Sequence, residues 1–504
     1  MKNWKAAFMA LLLYCLYAAN THAQETSAPL IGTAAVNKFV ATDGLQAAGL
    51  GYLVKEVESG NVIAEYQSGY NRIPASVTKL LTTATALEIL SDTFSFVTKL
   101  NYSGFIKDSV LYGDLYIVGG GDPTFESDFF THNPVFEHMA AAVETAGIKK
   151  IEGDIVGDAS LFQRSGANGD WLLEDVGSYY GQTPSAICFH DNLFMVTCSG
   201  SDSAATATIE TILPRTNLLT IDNRLQSGTP VWWHIYGDLY SWNKIVRGRI
   251  PTGKKTLVKI EIPDPALFVA DSLRIVLDRN GICSNKSRST IWTNERAPEG
   301  NTIYRFFSQP IKEIARQTNF HSVNLFAENL YLYMGLQNGE ISNYDLATAA
   351  VNKYWNTHGV PMTRTHQVDG SGLSMKNAIS PAFLTDLLIY MKKKSRYADS
   401  FTASLPTAGK QGTVKHFLGG TLLSGKTFCK SGSMDRVQNF SGYVIWNNKW
   451  YAFTIMVNNF DCTRKQVRAA ISNLLVDTFK AIGGPDAVVK KKPAAKKPAK
   501  KLKK

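Results

Sequence analysis

The chain is poor in the residues that build covalently or metal-linked folds. Its 504 residues include six cysteines and nine histidines. Cys15 falls in an apolar leader-like stretch, which leaves Cys188, Cys198, Cys283, Cys429 and Cys462. An odd set at irregular spacing does not describe a disulfide framework, although one bridge, Cys188–Cys198, is compatible with it. The histidines show no His-Glu-x-x-His or comparable ligand spacing, so neither a metal nor a cofactor is expected. Beyond the leader no stretch approaches about eighteen uninterrupted apolar positions, which leaves no evident membrane-spanning helix.

Charge is scarce too, once it is located. The net charge is +11, but nine lysines lie in residues 490–504, and Lys2 and Lys5 add two more. The body from Gln24 to Val489 is therefore near neutral, and its composition does not mark a nucleic-acid binder. The Lys/Pro/Ala tail, 490–504, is low-complexity and expected to be disordered. It is either a solvated tail or an adhesive for anionic envelope polymers or a membrane surface. Residues 1–23 have the form of a secretory signal, with a basic start, an apolar run from Ala6 to Ala19, and Thr21-His22-Ala23 before Gln24. Cys15 fits a lipoprotein site poorly because bulky Tyr14 precedes it. The mature chain is expected beyond the inner membrane, in the periplasm or cell envelope, where nucleic acid is not a partner.

Against these absences stands one stretch, Ser76-Val-Thr-Lys79, at the start of a run with Leu80, Leu81, Ala84, Leu87 and Leu90 at helical spacing. Residues i and i+3 of a helix share a face, with Cβ atoms roughly 5–6 Å apart. A serine hydroxyl is a poor nucleophile until a base takes its proton. A lysine becomes that base when burial or a neighbouring cation lowers its pKa. Chance alone supplies about two Ser-x-x-Lys matches in a chain of this length. The second match, Ser241-Trp-Asn-Lys244, lacks the apolar period and reads as turn and strand.

In chain order, Leu50–Val57 and Val62–Tyr66 read as a hairpin leading into the Ser76 helix. Strands are expected over 94–104, 110–118 and 151–156, with a helix over 134–146. Residues 192–262 are rich in Thr, Ser, Gly and β-branched side chains and read as mainly β. Helices return over 265–278, 310–318, 324–334 and 381–394. Strands at 427–430, 441–446 and 450–457 precede a last helix over 464–482, which Gly483-Gly484 stops. The expected organisation is a signal (1–23), a catalytic domain in two parts (24–94 and 266–489), inserted domain or domains (95–265, the inner one about 192–262), and the tail. The fold class is α/β of the α+β kind. The first and last hairpins share an antiparallel sheet, covered by the C-terminal and Ser76 helices.

Two more short motifs fall on suitable elements. Ser322-Val-Asn324 opens a helix, and Lys430-Ser431-Gly432-Ser433 ends a strand. A serine acyl-transfer enzyme needs a nucleophile, a proton relay, a carboxylate holder and two N–H donors for the oxyanion. Ser76, Lys79 with Ser322, Lys430 with Ser431, and the N–H groups of Ser76 and Ser433 would fill those roles. Gly432 would let the strand edge approach a substrate backbone. Penicillin-binding proteins and class A β-lactamases use this same ordered set.

With these motifs go Gly119-Gly-Gly-Asp-Pro-Thr124, Ser178-Tyr-Tyr-Gly181, Asp191-Asn192, Asp369-Gly-Ser-Gly-Leu-Ser374, and Leu405-Pro-Thr-Ala-Gly409 leading to Gly412-Thr413. From about residue 35 to 480 the chain resembles class C low-molecular-mass penicillin-binding proteins, the serine D-Ala-D-Ala carboxypeptidase/endopeptidase family. The resemblance implies a β-lactamase/transpeptidase-like sheet with a large insertion between the first two motifs. It also implies peptidoglycan stem peptides as substrate and β-lactam antibiotics as covalent inhibitors. Ser76 would be acylated, Lys79 would be the base, Ser322 would relay protons and Asn324 would hold the substrate amide. Lys430 and Ser431 would bind the terminal carboxylate, and Asp158 would contact the ammonium of the stem peptide's diamino acid. Met375 departs from the family, where an Arg commonly follows Gly-Leu-Ser. Altered stem-peptide selectivity is expected, with Lys376 or Arg436 as substitute cations. Two alternatives share the motifs: a β-lactamase, which would need a Glu-bearing deacylation loop that is not evident, and a non-catalytic envelope-binding protein, which the intact motifs disfavour.

Overall fold

A computed structural model of the chain describes residues 32–163, 167–201, 205–291, 293, 295–363 and 365–483. The expected signal and the Lys-rich tail lie outside them. The central layer is a five-stranded antiparallel sheet in the order Thr427–Met434, Val437–Trp446, Lys449–Asn458, Gly49–Glu56, Val62–Tyr66. The first and last hairpins therefore share one sheet, as expected. Asn447 and Asn448 make the tight turn between two of its strands, both in the left-handed region that such a turn requires.

Both faces of this sheet are covered. Tyr52, Val54, Phe453, Ile455 and Val457 point to one side, against Leu474, Leu475 and Phe479 of the C-terminal helix Arg464–Ala481 and the short helix Thr33–Val40. That C-terminal helix starts on a capping box formed by Thr463 and Gln466. Tyr443, Ala452 and Met456 point to the other side, against Leu384, Leu387 and Leu388 of helix Pro381–Lys393. Ser380 caps that helix and Pro381 pre-sets its first turn.

The helix that follows Ser76, Thr78–Leu90, here called the nucleophile helix after the role expected of Ser76, lies in the middle of this second layer. Every residue from Thr78 to Leu87 is buried. A helix buried on all sides must satisfy its polar groups internally. Thr83 and Thr85 donate to the carbonyls of Lys79 and Leu81, and Trp355 donates its indole N–H to Thr85 Oγ1 at 2.7 Å. Trp355 belongs to helix Tyr344–Thr357, capped by Asn343, which the sequence reading left unassigned.

The inserted region is built on a mixed five-stranded sheet in the order Ser287–Ser289, Ile155–Asp158, Leu115–Val118, Val97–Tyr102, Thr302–Phe307. Two three-stranded sheets, drawn from residues 193–261, extend it. The expected end of the insertion at residue 265 is too early. Helix Pro265–Arg279 packs on the inserted sheet through Phe268, Val269 and Leu273, and two of the sheet's strands follow that helix. The single strand expected over 110–118 is two strands in different sheets. Gly113 turns the chain between them, hard against the Ser103 carbonyl.

All five described cysteines are free thiols, so the candidate Cys188–Cys198 bridge is not formed. Cys188 sits in the core around the nucleophile helix and Cys198 in the core of the insertion. Among the described residues no helix is long and apolar enough to cross a membrane. Burial pushes the Cys188 thiol up to about 12 and the Cys198 thiol up to about 11. Thiol titration of the native protein is expected to modify exposed Cys283 first, and Cys188, Cys198 and Cys429 only in denaturant. Reductant is expected to leave Tm unchanged.

Candidate active site

Ser76 sits in a single 3₁₀ turn, Ala75–Val77, that runs directly into the nucleophile helix. Ala75 takes a positive φ of 47°, a conformation that costs a non-glycine residue energy and so must be held by its surroundings. Those surroundings are two asparagines on adjacent strands of the central sheet. Asn439 donates to the carbonyls of Ile73 and Pro74 at 2.9 and 2.8 Å. Asn458 accepts from the Ile73 N–H at 2.8 Å and returns a bond to its carbonyl. Neither residue was singled out from the sequence.

Two glycines let other segments close on this turn. A Cβ on Gly432 would lie 2.6 Å from the Pro74 carbonyl oxygen and 3.1 Å from the Ser76 nitrogen. The edge strand Thr427–Met434 therefore runs beside the nucleophile's own N–H. Gly372, at φ 79°, would place a Cβ 2.0 Å from the Ala75 oxygen, so the Asp369–Ser374 loop is equally close on its side.

Lys79 is fully buried one helical turn below. Its Nζ lies 3.1 Å from Ser76 Oγ, 2.5 Å from Asn324 Oδ1 and 2.7 Å from the Ser371 carbonyl oxygen. Three acceptors match the three protons of an ammonium. Burial nevertheless pulls the Lys79 pKa down to about 7, against the opposing pull of Glu328 and Asp369. A neutral amine keeps two donors and offers its lone pair to the Ser76 hydroxyl.

The two acids shape the floor of the site. Glu328 accepts from the N–H groups of Gly370 and Ser371 at 3.1 and 2.7 Å. Asp369 accepts from the N–H groups of Gly372 and Ser374, from Asn377, and from the Trp171 indole at 3.0 Å. Burial and the Asp369 charge push Glu328 up to about 8, and burial likewise raises Asp369. The sequence reading missed Glu328. Its signal was an acid amid apolar neighbours, four residues after Asn324 and so on the same helical face.

Lys430 is also fully buried and donates to Ser322 Oγ at 2.9 Å. Ser322 takes the left-handed conformation that ends helix Ile311–His321, one residue before the next helix cap at Val323. Burial, with Lys79 nearby, holds the Lys430 pKa well below the lysine range. Ser431 donates to Thr413 Oγ1 at 2.8 Å, which adds a second hydroxyl on the carboxylate side of the site. Ser433 is exposed at the strand's end and donates to Gln438. Asn324 donates to the Tyr180 carbonyl at 2.6 Å, so a loop of the insertion reaches the catalytic centre.

The remaining expected residues stand apart. The second Ser-x-x-Lys match is turn and strand, where Lys244 donates to the Asp238 carbonyl. Asp158 does not offer a free carboxylate. It is buried, and its oxygens accept from the Ser160 and Ala297 N–H groups and from Thr290 Oγ1. It closes a turn at a strand end. Met375 is 49 % exposed. Lys376 is paired with Asp170, and Arg436 lies 3.4 Å from Asp461.

The chain has clear relatives. The family described as D-Ala-D-Ala carboxypeptidase 3 (S13) matches residues 33–478. A D-alanyl-D-alanine carboxypeptidase of Actinomadura sp. (strain R39) is 25 % identical over 439 residues, covering 84 % of this chain and 80 % of that protein. The D-alanyl-D-alanine carboxypeptidase DacB of Haemophilus influenzae is 23 % identical over 438 residues, covering 84 % of this chain and 88 % of its own. The crystal structure of penicillin-binding protein 4 from Haemophilus influenzae superposes with a TM-score of 0.78 at 21 % identity, over 89 % of this chain and 99 % of that one. A structure of that protein complexed with a β-lactam gives 0.74. Because the family match runs through almost all of the described residues, both parts of the catalytic layer and the insertion between them, the chain belongs to the D-Ala-D-Ala carboxypeptidase 3 (S13) family of serine peptidases.

Proposed function

We propose that the chain is a serine D-alanyl-D-alanine carboxypeptidase, with D,D-endopeptidase action at the same site, that hydrolyses peptidoglycan stem peptides through an acyl-enzyme on Ser76. The observation that carries this reading is the buried Lys79 amine 3.1 Å from Ser76 Oγ. Neutral Lys79 takes the serine proton as Oγ bonds to the penultimate D-alanine carbonyl carbon. The carbonyl π electrons move to oxygen, facing the N–H groups of Ser76 and Ser433. The C–N bond then breaks, and the proton passes through Ser322 to the leaving D-alanine nitrogen. Lys430, short of a counter-charge, receives the substrate's terminal carboxylate together with Ser431 and Thr413. The edge of strand Thr427–Met434 beyond Cys429, where its pairing with residues 406–408 ends, pairs with the peptide backbone. Water then cleaves the ester and restores Ser76. A β-lactam presents its carbonyl and carboxylate to the same groups.

This reading places the protein in the cell envelope, and the leader-like 1–23 supports that location. The Lys-rich tail suits contact with anionic envelope polymers.

Fluorescent penicillin is expected to label the wild type stably, and a D-Ala-D-Ala peptide to release D-alanine. Both are expected to vanish in Ser76→Ala. Rapid turnover of penicillin would instead make the chain a β-lactamase, and no label at all a non-catalytic binder.

The pH dependence has a definite sign. Only neutral Lys79 can act as the base, and its pKa is about 7. The acylation rate constant is expected to rise about tenfold per pH unit below that value and to level off above it. A profile flat from pH 5 to pH 8 would remove Lys79 from that role.

Stem-peptide selectivity rests on Met375. With Met375 in place of an arginine and both candidate cations already facing the carboxylates of Asp170 and Asp461, the free and amidated diamino-acid peptides are expected to turn over at similar rates. A strong preference for the free acid that survives loss of Lys376 and Arg436 would count against this.

A further inference from the structure

The insertion carries an open groove of about 750 Å³ that the hydrolytic chemistry does not use. Its walls include Tyr179 and Tyr180 on one side, Trp232, Trp233 and His234 on another, and Lys259. Strand Trp232–Tyr236 is the edge strand of its sheet. Trp232, His234 and Tyr236 share one face of it and are all exposed. Their ring centroids follow at 5.7 and 6.2 Å, which makes a continuous aromatic ladder on a free edge. Tyr179 is 59 % exposed and packs edge-on against Tyr180 at 5.0 Å.

Exposed aromatic surface of this extent needs an occupant. The groove shares Tyr180 with the surroundings of Lys79, because the Tyr180 carbonyl accepts from Asn324, which also holds Lys79. We infer that this groove binds the glycan strand to which the stem peptide is attached, stacking sugar rings on Trp232, His234 and Tyr179. The inference rests on the carboxypeptidase reading for its substrate. A pyranose presents an apolar C–H face to the electron-rich face of an aromatic ring and a rim of hydroxyls to polar neighbours. The groove supplies both. Glu174 and Lys259 line it, the Lys259 ammonium lying 6.0 Å over the Tyr179 ring, and the imidazole of His234 lies between its tryptophan and tyrosine neighbours. The run from Trp232 to Tyr236 spans about 13 Å at strand rise, which is the scale of a disaccharide.

The test compares the full-length protein with Trp232→Ala/His234→Ala and with Trp232→Phe. One substrate is a free peptide ending in D-Ala-D-Ala, and the other is the same peptide on an N-acetylated disaccharide. For the wild type, KM is expected to be about three- to tenfold lower for the glycan-linked substrate, the range expected for one or two stacking contacts. The double variant is expected to lose that preference, with penicillin labelling and free-peptide turnover unchanged, and Trp232→Phe is expected to retain most of it. Equal KM values in the wild type would overturn the inference. So would equal weakening of both substrates in the double variant, or a change of molecular mass on sedimentation that makes the groove a contact between copies of this chain. Tryptophan fluorescence titrated with N-acetylglucosamine oligomers separates the two levels. Quenching that Trp232→Ala/His234→Ala abolishes supports the groove even if peptide hydrolysis fails, and no quenching in the wild type counts against it.

Discussion

The site depends on a lysine that folding has removed from water. Lys79 has no solvent exposure, and its nitrogen is surrounded by the Ser76 hydroxyl, an amide oxygen and a backbone carbonyl. Two pressures act on its proton. Burial disfavours the charged form, while Glu328 and Asp369 beneath it favour that form. Had burial acted alone, the amine would be a weak base with little affinity for the serine proton. Had the acids dominated, it would be a spectator ammonium. A pKa near neutrality is what a group needs to accept a proton and return it. The upward shift of both acids is part of that balance, since it lessens the negative charge that favours the lysine's charged form.

Holding that balance requires a rigid frame, and the fold provides it through backbone close approach more than through side-chain bulk. Gly432 and Gly372 bring two segments against the Ser76 turn from different sides. Asn439 and Asn458 tie the same turn to the sheet and hold Ala75 in its unfavourable conformation. A nucleophile displaced by about an ångström loses roughly a hundredfold in rate, so these supports matter as much as the reacting groups.

The motifs were legible because their chemistry prescribes spacing. Ser76 and Lys79 must share a helical face, and Lys430 and Gly432 must end a strand. The shared sheet of first and last hairpins was legible for a related reason, since short turns and alternating apolar residues specify strands locally. What escaped was determined by tertiary packing. Asn439 and Asn458 look like ordinary strand residues until the Ser76 turn is placed above them. Helix Tyr344–Thr357 buries Ala347, Ala350 and Val351, whose small side chains give a faint period, though Asn343 was a readable cap. Cys188 and Cys198 are near in sequence but lie in separate cores. The end of the insertion was misplaced at 265 because a helix on an inserted sheet reads locally like any other helix. The three donors on Asp158 could not be read from the sequence, because Ala297 and Thr290 lie more than a hundred residues away along the chain.

The insertion is a working part of the catalytic layer. Asn168 donates to the Val368 carbonyl at 2.7 Å, and Trp171 donates to Asp369. Tyr180 offers its carbonyl to Asn324, whose other end holds Lys79. Thus residues of the segment 167–181 touch both ends of the lysine's environment, one through its counter-charge and one through its acceptor. Asp369 is one of the two acids that oppose the burial of Lys79, and its buried carboxylate relies on the Trp171 N–H among its four donors. Removing a donor from a buried carboxylate raises its pKa and reduces its charge near neutrality. Less negative charge beneath Lys79 lowers the lysine pKa in turn. Segment 167–181 therefore contributes one donor to the acid that opposes the burial of Lys79 and one acceptor to the amide that holds it.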